Sequence, residues 1–110
     1  PIALEKVLAA AELQPTDTVL EIGPGLGSLT RYLAASAKEV VAVELDQHLL
    51  PPLKAMLAPY SNVRFIHGDI LELSPSDLIQ EPNYVVAANI PYYITYLSPK
   101  NTGIQSPPFL

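Results

Sequence analysis

The fold of this chain is decided by residues 18–28, TVLEIGPGLGS, where a short apolar run enters a glycine-rich loop. The run is rich in aliphatic and β-branched side chains, which is typical of a β-strand. The glycines that follow permit positive φ angles and allow a ligand to approach the backbone closely. Ser28 stands where it can cap a helix that we expect to reach about Ser36. The stretch therefore predicts a strand, a tight loop and a helix in direct succession.

The alternation of strand and helix continues along the chain. Residues 39–44 and 63–67 predict a second and a third strand, and the apolar run at 39–44 is typical of a strand buried on both faces. Residues 84–89 predict a fourth strand. Because strands alternate with helices, the pattern predicts an α/β, Rossmann-like fold. We expect a partial parallel sheet of about four strands with helices on both faces.

Helices are predicted before and between these strands. An apolar stripe at residues 4–11 has helical spacing, and its helix should end just before Pro15. Residues 47–57 predict a helix with a break or a restart at a pair of prolines, and residues 75–79 predict a short one. From residue 98 the sequence is polar and rich in proline. We therefore expect a domain of residues 1–97 followed by an irregular tail of residues 98–110.

Composition limits the classes of protein that the chain can represent. Hydrophobic residues make up 49% of the 110 residues, which permits a packed core and argues against disorder. The net charge is −5. Cysteine is absent, and this excludes disulfides, a cysteine nucleophile and a cysteine-based metal site. The first residues, PIALEK, lack a basic segment that leads into an apolar one, so we expect no secretory leader, and no apolar run reaches the roughly 20 residues that a membrane helix needs. We therefore expect a cytoplasmic protein with no membrane partner.

Polar residues with binding chemistry follow the successive strands, and ligands of such sheets bind beyond the carboxyl ends of the strands. Glu44 ends the second strand, 19 residues after Gly25, and its carboxylate can accept hydrogen bonds from both hydroxyls of a ribose. Asp69 follows the third strand and can accept from an adenine amino group, while Ile70 packs on the ring. Gly27 arrives one residue earlier than the dinucleotide fingerprint requires. This spacing fits a loop for S-adenosyl-L-methionine (AdoMet) and disfavours a nucleotide-dependent oxidoreductase.

Residues 89–92, NIPY, follow the fourth strand. Methyl transfer from a sulfonium to an exocyclic amine is an in-line displacement, and the site must favour a pyramidal amine nitrogen. The Asn89 side-chain oxygen and a backbone carbonyl, that of Ile90 or Pro91, can accept the two amine hydrogens. Tyr92 offers a ring for base stacking, worth roughly 1–3 kcal/mol. Rate then comes mostly from proximity and orientation. The structural alternative is a proline turn with buried tyrosines.

Structural alternatives also exist for the other motifs. The glycine loop can be an ordinary tight turn, Glu44 a solvated acid at a strand end, and Asp69 a turn residue. Their shared position after successive strands is what favours a binding site. His48 and His67 have no partner at ligand spacing. We assign both histidines to structural or solvated positions and expect no metal site.

Four motifs together closely resemble the ribosomal RNA adenine dimethyltransferases. They are EIGPGLGSLT at 21–30, Glu44 with Asp46, GDIL at 68–71 and NIPYYI at 89–94. The resemblance covers roughly residues 2–95, and it is closer to the small-subunit enzymes than to the erythromycin-resistance methylases. It implies an AdoMet-dependent methyltransferase fold and small-subunit ribosomal RNA as the partner. The implied activity is dimethylation of the exocyclic amine of adenines.

The resemblance also implies roles for individual residues. Glu21 would order the glycine loop and the methionine end of the cofactor. Asn89, Pro91 and Tyr92 would hold the target adenine. The positions implied to bind AdoMet, besides Glu21, are Gly23, Gly25, Glu44, Asp69, Ile70 and Asn89.

The sequence departs from the family pattern at both ends. The resemblance implies that a segment before the first helix is not included in this sequence; after about residue 97 the sequence leaves the family pattern, and we expect most of the family's basic RNA-binding surface to be absent. We therefore expect a truncated form of the domain. Strand 84–89 would then lie at an open edge of the sheet, from which we expect self-association. The alternative function is a non-catalytic module of the same fold that binds AdoMet, RNA or protein, like the transcription-factor-B relatives.

Overall fold

Strand β1, Thr18–Ile22, lies at the centre of the sheet and pairs in parallel with a strand on each side. The computed structural model describes residues 13–90 and 93–97, and for residues 89, 90 and 93–97 it describes the backbone. The sheet has five strands in the order β3-β2-β1-β4-β5. The remaining strands are β2 (Glu39–Glu44), β3 (Val63–His67), β4 (Val85–Ile90) and β5 (Tyr93–Leu97). The first four run parallel, which confirms the predicted α/β, Rossmann-like fold.

Short helices connect the parallel strands. Helix α1, Thr30–Ser36, follows the glycine loop, and α3, Pro75–Leu78, precedes β4. A 3₁₀ turn, Gln47–Leu49, leads into α2, Leu50–Met56. The two prolines are the second and third residues of α2, in its first turn, where their missing N–H groups leave no intrahelical bond unmade. The predicted restart at this proline pair is confirmed.

The alternation of side chains along the strands divides the core between the two faces of the sheet. On one face Val19, Val40 and Val85 pack against Leu29 and Leu33 at the start and middle of α1. On the other face the buried residues are Leu20, Val41, Val43 and Val86, packed against Leu78 and Ile79. Both faces of β1 and β2 are therefore covered by helices, as their nearly continuous apolar sequences predict.

The predicted capping of α1 by Ser28 is wrong. The residue that caps the helix is Leu29, no side chain bonds the helix start, and Ser28 is exposed. The Arg31 N–H instead donates to the Gly27 carbonyl at 3.2 Å. The chain therefore stays in the glycine loop for one residue longer than a serine cap would allow.

The prediction of an open edge at residues 84–89 is also wrong. β5 pairs antiparallel with β4, from Ile90 with Tyr93 to Val86 with Leu97. The backbone groups on that side of β4 thus have a partner within the same chain, so β5 and not β4 is the outer strand there. The expected self-association stays a prediction. The predicted first helix at 4–11 and the tail at 98–110 lie outside the described residues.

Candidate functional site

The glycine loop begins where β1 ends. Gly23, Gly25 and Gly27 all have positive φ angles, of 71°, 60° and 88°. The Gly23 N–H donates to the Val43 carbonyl of β2 at 3.0 Å, and the Gly27 N–H donates to the Pro24 carbonyl at 2.9 Å. The loop therefore turns back over the carboxyl end of the sheet in a backbone conformation that residues with a Cβ atom rarely adopt.

Two of these glycines serve different purposes. A Cβ atom added to Gly25 would meet nothing within 4 Å, so the backbone at Gly25 is open to a ligand. A Cβ atom added to Gly27 would stand 3.1 Å from a methyl carbon of Leu53 and 3.3 Å from Leu57. Gly27 is thus the residue that lets α2 pack closely against the loop. The early third glycine, which the sequence offered only as a spacing argument, has this packing contact as its physical cause.

Glu44 connects the loop to the end of β2. Its Oε1 accepts a hydrogen bond from the Gly25 N–H at 3.1 Å, and its Oε2 accepts one from the Asp46 N–H at 3.0 Å. The side chain is buried, with 6% of its surface exposed. The two backbone donors fix the carboxylate beside the open backbone of Gly25. Each oxygen keeps a second lone pair that can accept a hydrogen bond from a hydroxyl group.

Glu21 lies beneath the loop and is completely buried. The Thr30 hydroxyl donates to its Oε1 at 2.5 Å, and its Oε2 has no hydrogen-bond partner. Burial raises the pKa of the Glu21 carboxyl from 4.5 to about 8, although the Thr30 hydroxyl lowers this pKa and the nearby Glu44 raises it further. Glu21 is therefore protonated at neutral pH. Thr30 was missed by the sequence analysis, and its place in the first turn of α1, nine residues after an acid, was the available signal.

Asp69 follows β3, at the same carboxyl end of the sheet as the glycine loop and Glu44. Its Oδ1 accepts the Leu71 N–H at 2.9 Å, and its backbone carbonyl accepts the Glu72 N–H at 2.9 Å. This is the local turn geometry that aspartate often supports. Ile70 is half-buried and packs against the apolar cluster beneath α3. The turn holds Asp69 at the sheet edge, and Oδ2 is the oxygen that does not take part in the turn.

The Asn89 backbone lies in β4, opposite Ile94 of β5. Because β4 neighbours β1, Asn89 is the last residue but one of the strand next to the one that carries Glu21. Pro91 and Tyr92 lie outside the described residues. The structure thus brings Glu21, the glycine loop, Glu44 and Asp69 to the carboxyl end of the sheet. It places the backbone of Asn89 at that end too.

His48 lies in the 3₁₀ turn after β2, and His67 is the last residue of β3. His48 contacts Asp46, with its N–H and its Nδ1 at 2.9 and 3.2 Å from Oδ1, and the backbone hydrogen bond is the main cause that lowers the Asp46 pKa. The Nε2 of His67 lies 3.1 Å from the Leu45 carbonyl. Within residues 13–90, no three His, Cys, Asp or Glu side chains are grouped so that they could hold a metal ion. In the same part of the chain, no helix is long and apolar enough to cross a bilayer.

Exposed leucines stand next to the polar groups in the sequence, a feature that the sequence analysis did not single out. Leu26, Leu45 and Leu71 are 57%, 66% and 76% exposed, and each lies within two residues of a predicted binding residue. The carboxyl end of the sheet therefore carries buried acceptors and exposed apolar side chains, a combination that small-molecule sites use.

The sequence profile of the ribosomal RNA adenine dimethylase family matches residues 1–97, which is most of the chain. The chain belongs to this family. The resemblance read from the four motifs is confirmed. A ribosomal RNA small subunit methyltransferase A of Dehalococcoides mccartyi is 53% identical over 93 residues, which are 84% of this chain and 32% of the relative. A protein of the same name in Lysinibacillus sphaericus is 43% identical over 100 residues, 86% of this chain and 34% of the relative.

Solved structures of two methyltransferases share the fold. A dimethyladenosine transferase from Plasmodium falciparum superposes with a TM-score of 0.67 at 33% identity, covering 81% of this chain and 31% of that protein. The 23S rRNA methyltransferase ErmE superposes with a TM-score of 0.63 at 28% identity, covering 77% of this chain and 44% of that protein. The chain spans about a third of the length of the curated relatives that it matches.

Proposed function

We propose that this chain is the cofactor-binding part of an AdoMet-dependent dimethyltransferase that acts on adenines of small-subunit ribosomal RNA. The observation that carries the proposal is the contact between Glu44 and Gly25. A buried carboxylate, oriented by two backbone donors, lies beside an open stretch of glycine backbone. Family membership and the names of the relatives support the reaction and the RNA substrate. A ribosomal RNA substrate fits the cytoplasmic location expected from the sequence.

The residues at this edge fit AdoMet. Glu44 would accept the two ribose hydroxyls, because each carboxylate oxygen has a lone pair that the backbone donors do not use. Gly23 and Gly25 would let the methionine portion approach the backbone, with Glu21 beneath them. Oδ2 of Asp69 would accept the adenine amino group, and Ile70 would pack on the adenine ring. Asn89 would lie between the cofactor and the methyl acceptor.

AdoMet, when bound, supplies a methyl group on a sulfonium centre. The Asn89 side-chain oxygen and the backbone carbonyl of Ile90 or Pro91 would accept hydrogen bonds from the adenine amine, and Tyr92 would stack on the base. These contacts hold the amine nitrogen toward the methyl group and favour its pyramidal form. The leaving thioether is neutral, so the residues contribute orientation rather than strong base catalysis.

A binding measurement tests the cofactor site. Glu44→Gln replaces one of the two acceptor oxygens with a donor that faces a backbone N–H. We expect it to weaken AdoMet binding by tenfold or more in isothermal titration calorimetry, since hydrogen bonds to a charged group contribute about 1.5–3 kcal/mol. Glu81→Gln is the matched control, because Glu81 is an exposed acid paired with Lys38. Equal AdoMet affinity in Glu44→Gln and wild type would contradict the assigned role.

A methylation assay separates this proposal from the alternative of a non-catalytic binding module. The chain is incubated with unmodified small-subunit RNA and methyl-labelled AdoMet, and the RNA is digested to nucleosides. Labelled N(6),N(6)-dimethyladenosine supports the enzyme. AdoMet binding without labelled RNA, at saturating cofactor, would contradict an enzyme that is active within these residues and is the result expected of a non-catalytic module.

A further inference from the structure

The buried pair formed by Glu21 and Thr30 is not accounted for by contacts that hold the cofactor. Glu21 is fully shielded from solvent, so it cannot be a direct ligand in the observed arrangement. Its neighbours across the sheet are two small residues, Ala42 on β2 and Ala87 on β4. These alanines leave room for a carboxyl group and offer it no hydrogen bond from their side chains. The pair therefore calls for an explanation other than core packing.

The hydrogen bonds at Glu21 favour the neutral acid. Oε1 accepts from Thr30, while the fully buried Oε2 has no partner. An ionised carboxylate with one bare oxygen in such a place is costly, whereas a neutral carboxyl group costs much less. Among the described residues, the charged neighbour that acts on Glu21 is Glu44 of β2. α1 presents the neutral Thr30, and β4 presents Ala87. The negative charge of Glu44 favours the neutral form further.

A positive charge at the glycine loop would reverse this balance. The loop begins two residues after Glu21, and Glu44, which already acts on Glu21 through space, holds the Gly25 N–H of the same loop. A cation bound there would act on Glu21 with the opposite sign to Glu44. AdoMet carries two cationic groups, a sulfonium and an ammonium, against one carboxylate.

We propose that Glu21 holds a proton in the protein without ligand and releases it when the cationic part of AdoMet binds at the glycine loop. Cofactor binding is then coupled to proton release, and Thr30 acts as a positioning residue that stabilises the Glu21 carboxylate once it forms. The coupling rests on the proposed function, whereas the buried proton does not. Because the pKa of Glu21 without ligand is about 8, Glu21 must lose its proton on binding throughout pH 6–8, and AdoMet affinity rises as the pH is raised over that range. The limit is about tenfold for each pH unit if one proton is released.

Calorimetry in two buffers with different ionisation enthalpies measures the protons exchanged per AdoMet. We expect release of close to one proton at pH 7 with wild type and none with Glu21→Gln, whose AdoMet affinity no longer depends on pH over 6–8. Thr30→Val removes the donor to the carboxylate and reduces the release, and Thr30→Ser restores it. The matched control Glu81→Gln releases as many protons as wild type. Adenosine, which has no charged group, binds without proton release.

The possible failures are distinguishable. Binding of AdoMet without net proton exchange, or equal exchange by wild type and Glu21→Gln, overturns the coupling and leaves the proposed function standing. Absence of AdoMet binding at every pH overturns both. The buried proton is tested without ligand by carbon-13 NMR of the Glu21 carboxyl group, where we expect a titration midpoint near 8. A midpoint near the ordinary value of 4.5 overturns the inference whatever the variants do.

Discussion

At the amino end of the sheet, Asn62 donates side-chain hydrogen bonds to the Ala34 and Ala37 carbonyls at 2.8 and 3.2 Å, which satisfies the last turn of α1. At the carboxyl end, Glu44 accepts from two backbone N–H groups and Glu21 is buried with an unpartnered oxygen. Both ends are polar, but they differ in where the polar groups are directed. Asn62 satisfies the fold itself, whereas the acids are held in buried positions that the fold alone does not require.

The backbone differs in the same way. The described glycines with positive φ all lie in the loop after β1, at the carboxyl end. Strained or buried polar features cost stability and persist where function uses them. The comparison therefore predicts that changes at the carboxyl end alter ligand binding as well as stability, and that changes at the amino end alter stability alone.

The largest effect is expected from pH and Glu21. The Glu21 pKa is raised by folding, from 4.5 to about 8, so the folded state keeps a proton that the unfolded state has lost. The stabilisation is complete below pH 4.5 and falls as the pH rises toward 8, by up to about 5 kcal/mol. We expect urea unfolding of wild type to show this loss and Glu21→Gln to lack it.

The control for the pH series is Glu81→Gln, which should follow the wild-type curve because Glu81 is an exposed acid. The pKa of Asp46 is lowered from its ordinary value of 3.8, so its contribution to stability changes at pH values below the range of 4.5 to 8 that the pH series covers. Parallel curves for wild type and Glu21→Gln between pH 4.5 and 8 would show that Glu21 is not the group responsible.

The next effect concerns the two glycines of the loop. Gly27→Ala combines a positive φ with a Cβ atom 3.1 Å from Leu53, so we expect the free energy of unfolding to fall by roughly 2–4 kcal/mol. Gly25→Ala meets open space, so only the backbone penalty of about 1–2 kcal/mol applies. Urea unfolding measures both. Equal losses would remove the distinction between the packing glycine and the open one.

Binding reverses the order of these two variants. Gly25→Ala places a methyl group where the ligand is proposed to approach, so we expect the larger loss of AdoMet affinity there. Gly27→Ala should change AdoMet affinity less at a temperature where both variants are folded. Calorimetry on the two proteins provides this check. A greater loss of affinity in Gly27→Ala would place the ligand elsewhere in the loop.

Much of this architecture could be predicted from local sequence. The strand β1, the glycine loop and the proline pair at the start of α2 are specified by neighbouring residues, through side-chain pattern and backbone preference. The placement of Glu44 at the site could also be predicted, because parallel strands bring their carboxyl ends together.

Features that depend on distant contacts could not be predicted. The packing of Gly27 against Leu53 joins residues 26 positions apart, which no spacing rule within the loop specifies. Ser28 is a good capping residue, but the loop conformation set by Gly27 places Leu29 at the cap instead. β5 was not predicted, although its residues YITYL are typical of a strand, because the preceding NIPY was interpreted as a binding motif or a proline turn.

The smallest effect is expected at the amino end. Asn62→Ala removes the side-chain donor to the Ala34 and Ala37 carbonyls, and we expect the free energy of unfolding to fall by about 1–2 kcal/mol. AdoMet affinity should stay unchanged, because these carbonyls lie at the end of α1, near the amino end of the sheet, whereas Glu44 lies at the carboxyl end. Lys38→Met serves as the control. It removes an exposed ion pair with Glu81, so we expect no measurable change in unfolding or binding. If Asn62→Ala weakened AdoMet binding as much as Gly25→Ala does, the two ends of the sheet would be coupled through α1. The division between a structural end and a binding end would then fail.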